Sequence, residues 1–321
     1  MKPYIYITRK LDDEIIKPLY KFADVHMWNN EEEPVPRDIL MRESQKADAL
    51  LTMLTDHVDD ELLKFATNLK VIANLAVGYD NIDINATNER NIIVTNTPDV
   101  LNETTADLVF LLVMASARRL IEANQYIQDD KWTNWAPMLL AGRDVHHKTI
   151  GIVGLGRIGQ AVAKRAKGFD MNILYYNRTR NSKAETTYGA VYCDFNSLLE
   201  KSDFVVCMVP LSESTKGLFG KEAFGKMKNT AIFVNASRGA VVDEDALYHA
   251  LKSGEITAAG LDVFTEEPIS SKHPLLSLSN VTALPHIGSA SIETRHEMMQ
   301  LAVRNISSVL QGKKPITPVN V

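Results

Sequence analysis

The sequence predicts an α/β fold of two domains, each built on an open parallel β-sheet. Short apolar runs alternate with amphipathic segments over the first hundred residues, and a second alternation begins near Thr149. The apolar runs are near-continuous, as in parallel strands that are covered on both faces. The chain has 321 residues, a length that favours two domains over one.

The first alternation starts with the strand "YIYIT" and ends with the strand "IIVTN". Between them, segments such as "DDELLKFA" have the pattern of amphipathic helices, and "ALLTML" and "KVIANLAV" are further strands. After Pro98, "NETTADLVFLLVMASARRLIEANQYI" keeps a helical period, which predicts one long connecting helix capped at Thr104 or Thr105.

The second alternation contains strands such as "TIGIVG", "NILYYN" and "AIFVNAS", each followed by a helical segment, and then the strands "AAGLDV" and "VTALPHI". The final segment "SIETRHEMMQLAVRNISSVLQG" is amphipathic but has no strand beside it, so we expect it to pack on the first domain. This organisation predicts one domain formed by residues 1–98 and 288–321 and a second formed by residues 99–287.

Composition disfavours several classes of protein. The net charge of −5 provides no basic surface, so we expect no nucleic-acid partner. No apolar run reaches the roughly 18 residues of a membrane span, so we expect no membrane insertion. Cys193 and Cys207 are the two cysteines, and free thiols in a reducing, cytoplasmic location fit them better than a disulfide. His146 and His147 adjoin each other without a cysteine or aspartate cluster, so no metal site is expected.

Three glycines follow the first strand of the second alternation. Gly154, Gly156 and Gly159 have the spacing G-x-G-x-x-G between an apolar strand and a helix. The first permits a tight turn, the second lets the backbone approach a pyrophosphate, and the third allows close packing of helix on strand. The free N–H groups at the helix N-terminus favour an anion. A glycine-rich turn is the alternative, but the context favours a Rossmann-like dinucleotide-binding domain beside a related flavodoxin-like domain.

The end of the next strand bears on the choice of cofactor. Asn177 stands where an acid would bind the ribose 2′-hydroxyl of NAD, and Arg178 and Arg180 can pair with a 2′-phosphate. We therefore expect NADP(H) to be preferred, with NAD(H) as the alternative if the arginines form only a solvated basic loop. Further cofactor contacts are expected at Thr105, Arg157, Ile158, Pro210, Thr215, Ala236, Ser237, Asp262 and Gly288.

Polar residues at the carboxyl ends of predicted strands suggest catalysis. Arg238 can form a bidentate pair with a substrate carboxylate or polarise its keto oxygen. His286 can donate a proton as hydride arrives, and Glu267 can hold the other ring nitrogen. Reduction of a 2-keto acid uses these three groups beside a nicotinamide. Each residue alone has a structural or surface role as its alternative.

The substrate carboxylate needs its own partners. We expect consecutive backbone N–H groups near Val77 and Gly78, after the strand "ANLAV", to hold it, with Ser289 also in reach of the substrate. Substrate size is expected to depend on loops near Leu54, Trp135 and Met138.

The chain resembles the D-isomer-specific 2-hydroxyacid dehydrogenase family, and most closely its glyoxylate/hydroxypyruvate reductase branch. The resemblance rests on "NLAVGYDNID", "WTNWAP", "TIGIVGLGRIGQAVAKR", "NASRGAVVDEDAL", "AAGLDVFTEEP" and "LPHIGSAS". It implies a split substrate domain, a homodimer joined through the cofactor domains, and a catalytic set that falls on Arg238, Glu267 and His286. It also implies that Trp135 enters the partner's substrate site, with a simple apolar dimer contact as the alternative.

The leading function is therefore NADPH-preferring reduction of glyoxylate or hydroxypyruvate to glycolate or D-glycerate. The resemblance leaves 2-ketogluconate reduction open. Phosphoglycerate dehydrogenase is disfavoured because little chain follows the last helix, and D-lactate dehydrogenase because of the cofactor prediction. A dinucleotide-sensing scaffold like the C-terminal-binding-protein corepressors is the non-enzymatic alternative, and the lack of an appended tail argues against it.

Overall fold

The computed structural model describes residues 2–320, which form two compact units. The first unit runs to Leu101 and resumes at Ala290, and the second unit is Asn102–Ser289. Both are parallel α/β sheets, so the predicted fold class is confirmed.

The first unit contains a five-stranded sheet in the order β2-β1-β3-β4-β5, with every pairing parallel. This order is flavodoxin-like. Its strands are β1 (Tyr4–Ile7), β2 (Asp24–Met27), β3 (Ala49–Thr52), β4 (Val71–Asn74) and β5 (Ile93–Thr95). Its first four helices are α1 (Asp13–Tyr20), α2 (Arg37–Ser44), α3 (Asp60–Phe65) and α4 (Ile84–Glu89).

The second unit contains a seven-stranded parallel sheet. Its helices are α5 (Asn102–Ala117), α6 (Leu120–Gln128), α7 (Arg157–Gly168), α8 (Ser182–Tyr188), α9 (Phe195–Lys201), α10 (Lys221–Lys226) and α11 (Glu244–Ser253). Its strands are β6 (Thr149–Val153), β7 (Asn172–Tyr176), β8 (Val191–Tyr192), β9 (Phe204–Cys207), β10 (Ile232–Asn235), β11 (Ala258–Leu261) and β12 (Val281–Ala283). The sheet order is β12-β11-β10-β9-β6-β7-β8. Strands β6–β11, the first six of this sheet along the chain, have the Rossmann order, and β12 extends the sheet at one edge.

The last helix belongs to the first unit. Helix α12 (Ile292–Leu310) begins after Ser291, whose hydroxyl accepts from the amide of Thr294. It packs against α1, β3 and β4 and buries Met298 and Ile306 among other apolar side chains. Its amphipathic pattern is therefore explained by burial against the first sheet.

Short polar side chains set the start of many helices. Asp59 and Asp83 accept hydrogen bonds from Leu62 and Ala86, and Asp243 accepts one from Ala246. Each carboxylate satisfies an amide that has no partner inside its helix, which contributes about 1 kcal/mol.

The predicted long connecting helix is broken into α5 and α6, and its predicted cap at Thr104 or Thr105 is also wrong. Arg119 takes a left-handed φ of 53°, and the amide of Arg143 donates to the carbonyl of Ala117 at 2.8 Å. Gly142 lies so close that a Cβ there would be 2.2 Å from the same carbonyl oxygen. A distant segment thus ends α5, which also starts at Asn102 and so contains Thr105 in its first turn.

Candidate active site

The glycine loop connects β6 to α7 in the second unit. Gly154 has a φ of +103°, and a Cβ there would come within 2.7 Å of the Met208 backbone. A Cβ on Gly159 would lie 2.3 Å from the carbonyl oxygen of Gly154. Contacts within the protein therefore require glycine at both positions.

Gly156 is different, because a Cβ there would meet nothing within 4 Å. Its backbone is extended, with φ −76° and ψ −158°, and it is the residue before the first turn of α7. No contact among residues 2–320 explains a glycine at this point, whereas close approach of a dinucleotide pyrophosphate does. Arg157 and Ile158 open α7 beside it, so the loop fits the cofactor that the sequence predicts.

The residues predicted to select the cofactor have distinct partners. The side-chain oxygen of Asn177 accepts from the amide of Leu155 at 2.7 Å, so Asn177 braces the glycine loop. Arg180 forms a bidentate pair with Glu185 at 2.7 and 2.9 Å, and Tyr175 donates to the same carboxylate at 2.6 Å. These hydrogen bonds lower the pKa of Glu185, with Arg180 as the main cause. Arg178 is exposed.

Other predicted cofactor residues lie at successive strand ends of the same sheet. The Thr215 hydroxyl donates to the Pro210 carbonyl at 2.7 Å and folds the loop that follows β9. Ala236 and Ser237 directly follow β10 and are partly exposed. The structure therefore places these residues along the edge that contains the glycine loop.

His286 and Glu267 form the closest pair among the predicted catalytic residues. The Nδ1 atom of His286 lies 2.6 Å from Oε2 of Glu267, and both side chains are about one quarter exposed. The other oxygen, Oε1, accepts from the amide of Phe264 at 2.9 Å, which fixes the carboxylate. His286 has a φ of 54°, so this loop is held in a left-handed conformation.

The electrostatics of the pair favour an ionised glutamate. Burial would raise the pKa of Glu267, but the hydrogen bond and charge of His286, the Phe264 amide and the charge of Arg238 outweigh it and hold the pKa below its ordinary value. A carboxylate at Nδ1 orients the ring and leaves Nε2 for a proton. Nε2 makes no hydrogen bond within residues 2–320.

Arg238 is positioned by Asn235 and Gly239, two residues outside the predicted site. Asn235, the last residue of β10, donates to the Arg238 carbonyl at 3.0 Å and accepts from the Ser237 amide and hydroxyl. Gly239 allows the Phe264 backbone to approach, since a Cβ there would lie 1.9 Å from the Phe264 carbonyl carbon. Asn235 is almost fully buried at a strand end, and its place in the motif "NASRG" is the signal that identifies it.

Asp262 stabilises the backbone on the other side of His286. Its Oδ1 accepts from the Ile287 amide at 2.8 Å, and Oδ2 is buried without a partner among the described residues. Burial raises the pKa of Asp262 above its ordinary value despite the Ile287 hydrogen bond. A Cβ on Gly288 would be 3.1 Å from Oδ2 and 3.4 Å from Thr105, so these three predicted cofactor residues form one cluster.

The predicted substrate residues are distributed over both units. Leu54, Val77 and Gly78 lie in loops of the first unit and are partly exposed, and Ser289 ends the second unit. Trp135 follows α6 and is 79% exposed. Met138, in the same segment, is 78% exposed.

Comparisons with known proteins show which family the chain resembles. The family model for the NAD binding domain of D-isomer specific 2-hydroxyacid dehydrogenases matches residues 110–288. Glyoxylate reductase from Thermococcus litoralis is 48% identical over the whole of this chain and 97% of that protein.

Solved structures agree. The TT0316 protein of Thermus thermophilus is 40% identical, with a TM-score of 0.92 over 98% of this chain and 99% of that chain. The NADPH-dependent glyoxylate/hydroxypyruvate reductase of Sinorhizobium meliloti, solved with NADP and malonate, is 30% identical. It has a TM-score of 0.85 over 99% of this chain and 97% of that chain.

Proposed function

This chain belongs to the D-isomer-specific 2-hydroxyacid dehydrogenase family, and we propose that it is an NADPH-preferring reductase of glyoxylate and hydroxypyruvate. The family assignment was predicted from the motifs and is confirmed. The chain has a nicotinamide-dinucleotide-binding domain, within residues 110–288. The observation that carries the proposal is the 2.6 Å His286–Glu267 pair in the same unit as the glycine loop. The names of the relatives support the substrate class.

The proposed mechanism follows from the placement of charge. A reduced nicotinamide dinucleotide, when bound at the glycine loop, would supply the hydride for reduction of a keto carbon. His286 donates the proton from Nε2 to the keto oxygen, which gives the 2-hydroxy acid. Glu267 keeps the ring oriented, and its own depressed pKa keeps it anionic beside Nδ1. Arg238 binds the substrate and polarises the keto oxygen.

We assign the cofactor contacts to the glycine loop and to the strand ends around it. Gly156 and the N-terminus of α7 would hold the pyrophosphate, and Arg157 and Ile158 would lie beside it. Asp262, Thr105 and Gly288 form the nicotinamide side of the site. Pro210, Thr215, Ala236 and Ser237 complete the binding surface.

NADP preference is proposed on the side chains after β7. Asn177 presents no negative charge to a 2′-phosphate and is instead engaged with Leu155. Arg178 is exposed, and we assign it the principal phosphate contact. Arg180 is paired with Glu185, so it must share its charge. The NADPH-dependent reductase of S. meliloti supports this choice.

For the substrate, we propose contacts from Leu54, the Val77 and Gly78 amides, and Ser289. The first unit is then the substrate domain and the second unit is the cofactor domain. We propose that the predicted substrate domain, residues 1–98 and 288–321, corresponds to this first unit, whose bounds are Leu101 and Ala290.

A homodimer is proposed from the exposed apolar surface of α5, α6 and the segment after them. Nine large apolar side chains there are at least one third exposed: Leu111, Met114, Leu120, Ile121, Ile127, Trp132, Trp135, Met138 and Leu139. A contiguous run of this kind marks an interface. We propose that Trp135 enters the partner's substrate site. The variant Trp135→Ala should remain a dimer and have a higher KM for the substrate. If light scattering instead shows that the variant is a monomer, Trp135 is a purely structural dimer contact.

The described chain has no helix that is both long and apolar enough to cross a membrane. Cys193 and Cys207 are free thiols. A reducing, cytoplasmic location is proposed on that basis.

Initial-rate kinetics at neutral pH test the proposed function. Glyoxylate, hydroxypyruvate, pyruvate and 2-ketogluconate are each assayed with NADPH and with NADH. Fastest turnover of the first two acids with NADPH is the expected result. A higher catalytic efficiency with NADH overturns the cofactor proposal, a preference for 2-ketogluconate overturns the substrate proposal, and the absence of turnover with all pairs favours the scaffold alternative.

A further inference from the structure

Two loops at the carboxyl edge of the first sheet are held by three asparagines, of which Asn74 is buried and Asn81 and Asn96 are partly buried. Residues 53–56 follow β3 and residues 75–79 follow β4, and both contain proposed substrate contacts. Within residues 2–320, the N–H groups of Leu54, Val77 and Gly78 donate to no other atom. Most carbonyl groups of the same loops, in contrast, accept hydrogen bonds.

The three central carbonyl groups of the second loop, those of residues 76–78, each accept a hydrogen bond. The Ala76 carbonyl accepts from the Thr97 amide at 2.9 Å, and the Val77 carbonyl accepts from Nδ2 of Asn96 at 2.8 Å. The Gly78 carbonyl accepts from Nδ2 of Asn74 at 3.0 Å. Three successive carbonyl groups are therefore directed into the protein.

The first loop is held in the same way by Asn81. Its Nδ2 donates to the carbonyl of Met53 at 3.1 Å and to that of Asp56 at 2.9 Å. The Asp56 carboxylate in turn accepts from the Met53 amide at 2.7 Å. The loop is thus closed on itself by one side-chain amide and one carboxylate.

The asparagines also bind one another. Asn74 is fully buried at the end of β4, where its side-chain oxygen accepts from the Thr52 hydroxyl at 3.0 Å. Its Nδ2 reaches Oδ1 of Asn81 at 3.1 Å. Since Thr52 ends β3, the network couples both loops to the two rigid strands beneath them.

Peptide geometry turns these contacts into a binding surface. In a trans peptide the N–H points opposite to the C=O of the preceding residue, and Glu267–Pro268 is the one cis bond in the described chain. Pinning the Ala76, Val77 and Gly78 carbonyls inward therefore directs the N–H groups of residues 77–79 away from the protein interior. Successive N–H groups on one side form a concave anion site.

We infer that Asn74, Asn81 and Asn96 are positioning residues for the substrate carboxylate. By holding the carbonyls they preorganise a row of outward N–H donors, which bind the carboxylate of the 2-keto acid. The inference rests on the proposed function, because that function puts a carboxylate at Val77 and Gly78. The asparagines touch neither substrate nor cofactor in this scheme.

Asn96 is the best position to test, because it is only partly buried and its side-chain amide has one partner, the Val77 carbonyl. Asn96→Ala removes the donor, and Asn96→Asp also puts a carboxylate against that carbonyl. Asn68→Asp, at an exposed site of the same unit, controls for the added charge. Kinetics with glyoxylate and NADPH are compared with binding of oxalate, a carboxylate probe, in the presence of NADP⁺.

The expected result is a rise of about tenfold in glyoxylate KM and in oxalate Kd for Asn96→Ala, larger for Asn96→Asp. The KM for NADPH and the Tm of the Asn96 variants should match those of the Asn68→Asp control. Their kcat should stay within about threefold of the control value. If the wild-type enzyme reduces glyoxylate and the Asn96→Ala variant has the same glyoxylate KM and oxalate Kd, the inference is wrong. The proposed function is not affected by that result.

A wild-type protein without turnover overturns the proposed function, and the oxalate comparison still decides the inference. If Asn96→Asp does not fold, Asn96→Ala and Asn96→Ser carry the test. A parallel loss of NADPH affinity would mean general disruption and would also count against a positioning role.

Discussion

Gly156→Ala should separate cofactor binding from folding. Of the three loop glycines, Gly156 is the one at which a Cβ meets no atom within 4 Å, and its φ of −76° and ψ of −158° are accessible to alanine. The protein alone can therefore accept the methyl group. A pyrophosphate seated on the α7 N-terminus cannot, because the second glycine exists to let the backbone approach it.

Two small effects on stability oppose each other. Alanine restricts the unfolded chain, which stabilises by about 0.4–1 kcal/mol, and it is a poorer residue than glycine before the first helical turn, which costs about the same. We expect the free energy of unfolding to change by less than about 1 kcal/mol. Loss of one hydrogen bond to a charged phosphate costs about 1.5–3 kcal/mol, so the Kd for NADPH should rise about 10- to 100-fold.

Gly159→Ala is the matched control. Its Cβ would lie 2.3 Å from the Gly154 carbonyl oxygen, so the helix must move and stability should fall by about 1–3 kcal/mol. Thermal unfolding of the cofactor-free proteins and fluorescence titration with NADPH measure the two quantities. A Gly156→Ala protein that binds NADPH as wild type does, or that unfolds as easily as Gly159→Ala, would refute the reasoning.

Three further predictions concern individual side chains. His286→Ala removes the proton donor and should lower turnover by about 100-fold or more, with NADPH KM unchanged. Arg238→Lys loses the bidentate fork, so kcat should fall and the keto acid KM should rise together. Burial raises the pKa of Cys207 from 9.0 to about 11, so at pH 8 its thiolate is about 100-fold scarcer than ordinary, and iodoacetamide should modify it quickly only after unfolding.

Each of these has a clear contrary result. Near-normal turnover of His286→Ala would remove His286 from the mechanism. An Arg238→Lys enzyme with wild-type kinetics would make Arg238 a structural residue. Rapid labelling of Cys207 in the native protein at pH 8, mapped by mass spectrometry, would mean that its burial is transient. Otherwise, the rate of Cys207 modification should increase as the pH rises towards 11.

The alternation of apolar strands and amphipathic helices was sufficient to predict two parallel sheets. The pattern is local, since each strand between two layers must be apolar on both faces whatever its neighbours are. The motifs likewise placed Arg238, Glu267 and His286 at strand ends, because a parallel sheet gathers those ends on one edge.

The break between α5 and α6 shows the limit of local patterns. The helical period continues through Arg118 and Arg119, so nothing nearby ends the helix. The segment at Gly142 and Arg143 ends it, through a contact 24 or more residues along the chain. Sequence periodicity cannot show that an amide from a distant segment, here that of Arg143, will bind a helix carbonyl.

Side-chain partners show the same limit. The sequence presents Arg178 and Arg180 as equivalent cations, whereas the structure pairs Arg180 with Glu185. Asn74 and Asn81 lie in the motif "NLAVGYDNID" and Asn96 lies outside it, yet nothing in the sequence signals that all three converge on two loops.

Residue types and their spacing therefore determined the fold class, the family and the identity of the chemical groups, since each depends on short-range periodicity or on contiguous motifs. Tertiary structure decided which of those groups are engaged and which are free. The physical reason is that a hydrogen bond depends on distance and direction in space, and the donor to a loop carbonyl can come from any strand that the fold brings beside it.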